Sequence, residues 1–167
     1  LFPLIIYPYV SRTLGLSNIG IVNFVDNLIN YFVFISMMGI TTVGIREIAS
    51  VRDNPKELSK TFSSLLFLTT ATTLIAIVIL WIAMYTITML VPYRDLLYIG
   101  IAKLVFNLFI LEWFIIGMEN FKFITYRSII IKCLYILCIF LFVRESSDYK
   151  TFYLLSTVTV MANALVD

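Results

Sequence analysis

The chain has 167 residues, 61% hydrophobic and 13% charged, with 12 Lys+Arg against 10 Asp+Glu and a net charge of +2. A soluble domain sits nearer about 45–50% apolar and about 25% charged; a core of this length cannot bury the excess, whereas several bilayer spans can. So small a positive balance does not suggest nucleic acid as a partner, and with no His and only Cys133 and Cys138 no His/Cys metal site is available. The two cysteines lie in one apolar run and point to different helix faces, so they read as packing thiols and not as a redox pair. No cofactor is expected.

The chain opens on Leu1 without an initiator Met or a basic leader and stops just after an apolar run, which reads as a piece of a longer membrane protein. The segment 1–10 is too short to span and is predicted to be the second half of a first helix, bent at Pro3 and Pro8. Ser11 to Gly15 then forms its exit, with Gly15 as a left-handed cap. A second helix is predicted over 19–44, entered through Ser17 or Asn18 and ending near Ile45. A charged stretch, Arg46 to Asp53, leads to a start signal in which Asn54 is the N-cap, Pro55 the first helical residue and Glu57 the third. Helix three follows and carries no charge from Leu65 to Val91; Thr69, Thr70, Thr72 and Thr73 can return their hydroxyls to the backbone. After a turn over 92–95, helix four is predicted over 96–117, helix five over 123–143, and a sixth helix from Thr151 to Val166. The fold class is all-α, a polytopic transmembrane helix bundle.

Lys/Arg bias sets the orientation. Arg46, Arg52, Lys56, Lys60, Lys122 and Arg127 fall on one side, and Arg12, Arg94, Arg144 and Lys150 on the other. The excess puts the 46–60 segment in the cytoplasm, so that the first helix runs outward. Trp81, Tyr85, Tyr93 and Tyr98 then form an outer aromatic belt.

The feature that organises the chain is a polar seam in helix two. Asn23, Asp26, Asn27 and Asn30 are spaced i, i+3, i+4, i+7, one face of a helix that is otherwise apolar. A carboxylate at membrane depth costs about 2.5–3.5 kcal/mol on insertion scales, so it faces a bundle interior or a wet cavity. The seam either lines a cavity or hydrogen-bonds neighbouring helices; the carboxylate favours the cavity, since packing contacts rarely need one. Lys103 either meets an anionic ligand or snorkels to the outer interface. Lys103 and Glu112 are nine residues apart and face opposite sides of helix four, so they do not pair, and Glu112 near the cytoplasmic end is open to reading as an interfacial charge. Lys132 lies deep enough to call for a cavity or an acidic partner. No nucleophile elbow, phosphate-cradling glycine loop or paired catalytic carboxylates occur, so an enzyme is not expected.

Four stretches carry a family resemblance. They are 8–15 (PYVSRTLG), 44–49 (GIREIA), 112–114 with 117–122 (EWF and GMENFK), and 127–132 (RSIIIK). Together they resemble the polysaccharide-biosynthesis flippases, exporters of O-antigen and capsule repeat units within the multidrug/oligosaccharidyl-lipid/polysaccharide superfamily. The resemblance implies two lobes totalling about twelve to fourteen helices, with residues 1–167 most of the first lobe. It also implies a multi-pass protein of the cytoplasmic membrane that flips undecaprenyl-pyrophosphate-linked oligosaccharide between leaflets. Its partners would be that lipid-linked oligosaccharide, membrane lipid and a coupling cation, H+ or Na+. On the physics of the residues, Arg12, Lys103 and Lys132 are the candidates to attract the pyrophosphate, with Asn23, Asn27 and Asn30 as further substrate contacts and Asp26 as the ion-coupling group. A cation-coupled drug or metabolite antiporter of the same superfamily is one alternative, and a membrane-embedded glycan polymerase or acyltransferase the other.

Overall fold

The computed structural model describes residues 2–37 and 39–167, with side chains from Ile6 onward. Every regular element among them is helical. In order these are α1 (Phe2–Met37), α2 (Ile40–Val51), α3 (Pro55–Thr86), a 3-10 turn (Thr88–Tyr93), α4 (Arg94–Asn107), α5 (Glu112–Gly117), α6 (Phe121–Phe142), a second 3-10 turn (Ser146–Asp148) and α7 (Tyr149–Val166). Four stretches among the described residues are long and apolar enough to cross a membrane: Ile6–Val51, Pro55–Thr86, Thr88–Gly117 and Phe121–Phe142.

The helix starts read from side chains hold where the chemistry is local. Asn54 caps α3, its side chain accepting the Lys56 N–H, and Pro55 is the first helical residue. The carbonyl groups of Leu65 and Leu66 accept the Thr69 and Thr70 hydroxyls, so these polar groups need no partner outside the helix. From Leu65 to Thr86 the helix is free of charge for about 33 Å, matching the ~30 Å hydrocarbon layer.

Four expectations need correction. The first helix does not break at its prolines: Pro8 lies inside regular α1, and the non-helical residue is Gly15 (φ 77°, ψ 158°). There is no loop after it, because helical structure resumes directly at Leu16. The predicted helix over 19–44 is interrupted at Gly39, whose left-handed backbone (φ 80°, ψ 0°) precedes α2, and α2 carries Arg46 and Glu47 on to Val51. Helix three ends at Thr86, since the chain takes a 3-10 course from Thr88, four residues ahead of Pro92. The predicted helix over 96–117 is two helices separated at 108–111.

The core explains how these pieces meet. Val22, Val25 and Ile29 of α1 pack with Leu80 and Met84 of α3, Leu96 and Leu97 of α4 and Tyr153 of α7. A second cluster joins Val10, Leu14 and Ile19 to Ile139 and Val143 around the Gly15 kink. Both arms of the kink also reach the α6–α7 link, Tyr9 donating to the Val143 carbonyl at 2.8 Å and Asn18 to that of Ser146 at 2.7 Å. In that link the Asp148 carboxylate accepts the Arg144 and Glu145 backbone N–H groups, which hold it below the usual carboxylate range. The break after α1 is likewise satisfied: the Thr72 hydroxyl lies 2.6 Å from the Ser36 carbonyl, which has no further helical turn to bond to.

Glycines set the closest approaches. A Cβ on Gly100 of α4 would sit 2.5 Å from Ile29 of α1. On Gly44 it would meet Trp113 at 2.7 Å, and on Gly117 it would meet Ile48 at 2.7 Å, so α2 and α5 cross at small residues in both directions. Phe62 of α3 packs against Trp113 and Phe114, extending that crossing. The turns beside it are joined by Arg52 and Glu119 at 2.5 Å, an exposed pair. At the opposite end Lys150 meets Asp95, and Trp81, Tyr85 and Tyr98 gather in one exposed aromatic group with Arg94 over the Tyr85 ring.

Gly100→Val is expected to destabilise the full-length protein by about 1–3 kcal/mol, because α4 must move off Ile29. Gly20→Ala, with nothing within 4 Å, should be neutral or slightly stabilising. Thermal melting in detergent compares them, and equal midpoints would show that the α1–α4 approach is not close-packed.

Candidate polar site between α1 and α4

The site begins with the register of α1. Its buried stripe Val22–Val25–Ile29 runs one residue out of step with the polar seam, so burying the stripe turns Asp26 and Asn30 to the edge of the α1–α4 contact. There Lys103 of α4 reaches Asp26, its Nζ 2.5 Å from Oδ1. Asn30 completes the group, donating to Asp26 Oδ2 at 3.1 Å and accepting from Lys103 at 3.4 Å. Gly100 makes this possible: it touches Ile29 one turn before Lys103, so the two helices, which run in the same direction, approach closely enough for the long Lys103 side chain to reach back to Asp26. The Lys103 and Asp26 side chains are 12% and 30% exposed, enough to desolvate the pair in part without sealing it. Removing one partner would leave a poorly hydrated charge, which is costly at this depth.

The other sequence candidates are placed differently. Asn23 and Asn27 are exposed on α1. Arg12 is exposed on the far side of the Gly15 kink. Lys132 is exposed on α6, three residues before Tyr135 and so on the same helix face; Tyr135 is near enough to feel the charge of Asp26. The structure therefore brings together Asp26, Asn30 and Lys103 out of the full set.

Below this group runs a groove of about 480 Å³, lined by Asn30, Phe34, Thr41, Asn107, Glu112 and Trp113 among others. Sequence reasoning set Lys103 and Glu112 on opposite sides of one helix. The break at 108–111 resets the phase, so Glu112 lines the same groove as Asn107, one turn beyond Lys103. Leu108, Phe109, Ile110 and Leu111 hold neither Gly nor Pro, so no local signal announces that break.

The stretches behind the resemblance fall largely outside this site. Residues 44–49 and 112–122 form the α2–α5 crossing through Gly44, Ile48, Trp113 and Gly117. Arg127 is buried and ion-paired with Asp167, which also accepts the Leu111 N–H at 3.1 Å. This pair fastens α6 and the end of α7 to the α4–α5 break. Cys133 and Cys138 are free thiols. Among the described residues no group of three or more His, Cys, Asp or Glu could hold a metal ion.

Residues 1–167 match the family model described as polysaccharide biosynthesis protein. A protein of Escherichia coli K12 named "Putative O-antigen transporter" is 30% identical over 152 residues, which is 89% of this chain. The chain spans 36% of the length of that relative. No solved structure matches it. With its family model matched end to end and its helices apolar enough to cross a bilayer, the chain belongs to the polysaccharide biosynthesis protein family and is a multi-pass protein of the cell membrane.

Proposed function

We propose that the protein exports undecaprenyl-pyrophosphate-linked oligosaccharide repeat units across the cytoplasmic membrane, and that residues 1–167 are most of the first lobe of a two-lobed flippase. The observation that carries the reading is the Asp26–Asn30–Lys103 group, a partly wet charge pair at membrane depth in a member of this family. A lipid-linked glycan must move an anionic pyrophosphate and a polar sugar chain across about 30 Å of hydrocarbon. Lys103 offers the pyrophosphate a cation, and Asp26 occupies that cation until substrate arrives. Protonation of Asp26, or a cation bound to it, would release Lys103, which links ion coupling to substrate capture without a covalent step. Lys132 and Arg12 supply further positive charge along the path, and Asn23 and Asn27 hydrate it. Rocking of two lobes then exposes the site to each side in turn. The E. coli relative's name speaks of a transporter, which favours export over the polymerase and acyltransferase alternatives.

Deleting the full-length gene should leave lipid-linked repeat units accumulating on the inner leaflet. Their absence there, with normal surface polysaccharide, would sink the reading. Asp26→Asn and Lys103→Gln should each lower export at least tenfold. The double variant, with no unpaired charge left, should recover membrane abundance but not export. Recovered export in the double variant would make the pair a structural tie only.

The orientation has its own check. The end of the bundle bearing Arg46, Arg52, Lys56 and Lys60 is assigned to the cytoplasm. With Cys133 and Cys138 replaced by Ala, a cysteine at the exposed Ser50 position should react with an impermeant maleimide only after the cells are opened. Reaction in spheroplasts would invert the assignment.

A further inference from the structure

The groove below Lys103 holds three polar side chains for which the fold provides nothing. Among the described residues, the Thr41 hydroxyl, the Asn107 amide and the Glu112 carboxylate have no hydrogen-bond partner, yet they line one groove with Asn30. Thr41 and Glu112 are exposed and Asn107 is half-buried, so all three are open to an occupant of the groove, and in a membrane bundle such a polar lining favours a polar one. The chemistry of the lining restricts what that occupant is. It has one carboxylate and no Lys or Arg, so it repels phosphate. It offers acceptors and mixed donor–acceptors, which suit neutral hydroxyl groups. Its remaining wall is apolar and includes the exposed ring of Phe34, which suits the C–H face of a pyranose ring. Its volume of about 480 Å³ is ample for a sugar residue.

We infer that this groove is the subsite for the sugar at the reducing end of the lipid-linked glycan. The inference rests on the export reading above and adds a register to it. Asn107 lies one turn beyond Lys103, about 6 Å along α4. In a lipid-linked glycan the first sugar is bonded directly to the pyrophosphate, so an anion at Lys103 places that sugar against Asn107, with Glu112 and Thr41 farther along. The helix break at 108–111 is what returns Glu112 to the groove instead of leaving it on the opposite face. Glu112 and Asn107 are therefore specificity residues for the glycan, not for the anion.

The test uses the purified full-length protein in detergent and two probes. One is the lipid-linked repeat unit extracted from cells lacking the gene; the other is undecaprenyl pyrophosphate without sugar. Glu112→Gln and Asn107→Leu should each weaken binding of the sugar-bearing lipid about tenfold or more, as loss of a hydrogen bond to a charged or buried group does. Binding of undecaprenyl pyrophosphate should stay within about twofold. Thr41→Val, which removes only a hydroxyl from an exposed position, should show the same selectivity at smaller size and guards against misfolding of the other two. Unchanged affinity for the sugar-bearing lipid would overturn the subsite, as would equal losses for both lipids, or a loss seen only as altered sodium or proton dependence. Failure of the unmodified protein to bind either lipid would overturn the export reading itself and the subsite with it.

Discussion

The approach of Gly100 to Ile29 is the constraint on which the rest of the described bundle depends. Two membrane helices gain little from apolar contact alone, because lipid tails are as apolar as Leu, so they hold together by close packing and polar pairs. Gly100 supplies the first and Lys103 with Asp26 the second, within one turn of each other. Each needs the other. Without the missing Cβ the charges would stand apart, and without the charges the small residue would have less to close upon. Tyr153 of α7 and Leu80 of α3 pack against the same place, so the position of the remaining long helices follows from it.

A second, independent fastening lies at the α2–α5 crossing, and it gives the family's sequence stretches a physical meaning. Gly44 and Gly117 each receive a large side chain from the facing helix, Trp113 and Ile48 respectively. Glu119, in a left-handed backbone (φ 60°), ends the same crossing and meets Arg52. Stretches that look like a functional signature in one dimension are here a joint between short helices. The joint holds the broken ends of α1 and α4 beside each other, and the groove lies between those ends.

How much of this could be read beforehand follows the range of each interaction. Local chemistry was legible: the Asn54–Pro55 start of α3, the threonine back-bonds and the seam at i, i+3, i+4, i+7 all depend on residues within a turn or two. Gly15 is legible as an interruption, and its positive φ of 77° makes one, but its ψ of 158° is not that of the left-handed cap expected there, and the chain continues as helix at once. The partner of Asp26 was not legible, because Lys103 is 77 residues away and nothing local distinguishes a paired lysine from a snorkelling one. The break at 108–111 was hidden for a related reason. Its four residues all favour helix or strand, and the interruption is held by Asp167 accepting the Leu111 N–H from α7. With that break unread, Glu112 fell out of phase and the groove could not be assembled from the sequence.

The ion pair also decides how the bundle responds to the voltage across the membrane. A lone charge carried through a potential of 100 mV exchanges about 2.3 kcal/mol with the field, enough to bias a conformational equilibrium strongly. Asp26 and Lys103 are opposite charges 2.5 Å apart, so the field meets a small dipole where they stand. If α1 and α4 swing together with the pair intact, almost no electrical work is done. Only parting the two charges would make such a motion electrogenic for this pair, so a membrane potential would act on a step that opened the pair and not on a movement that carried it intact.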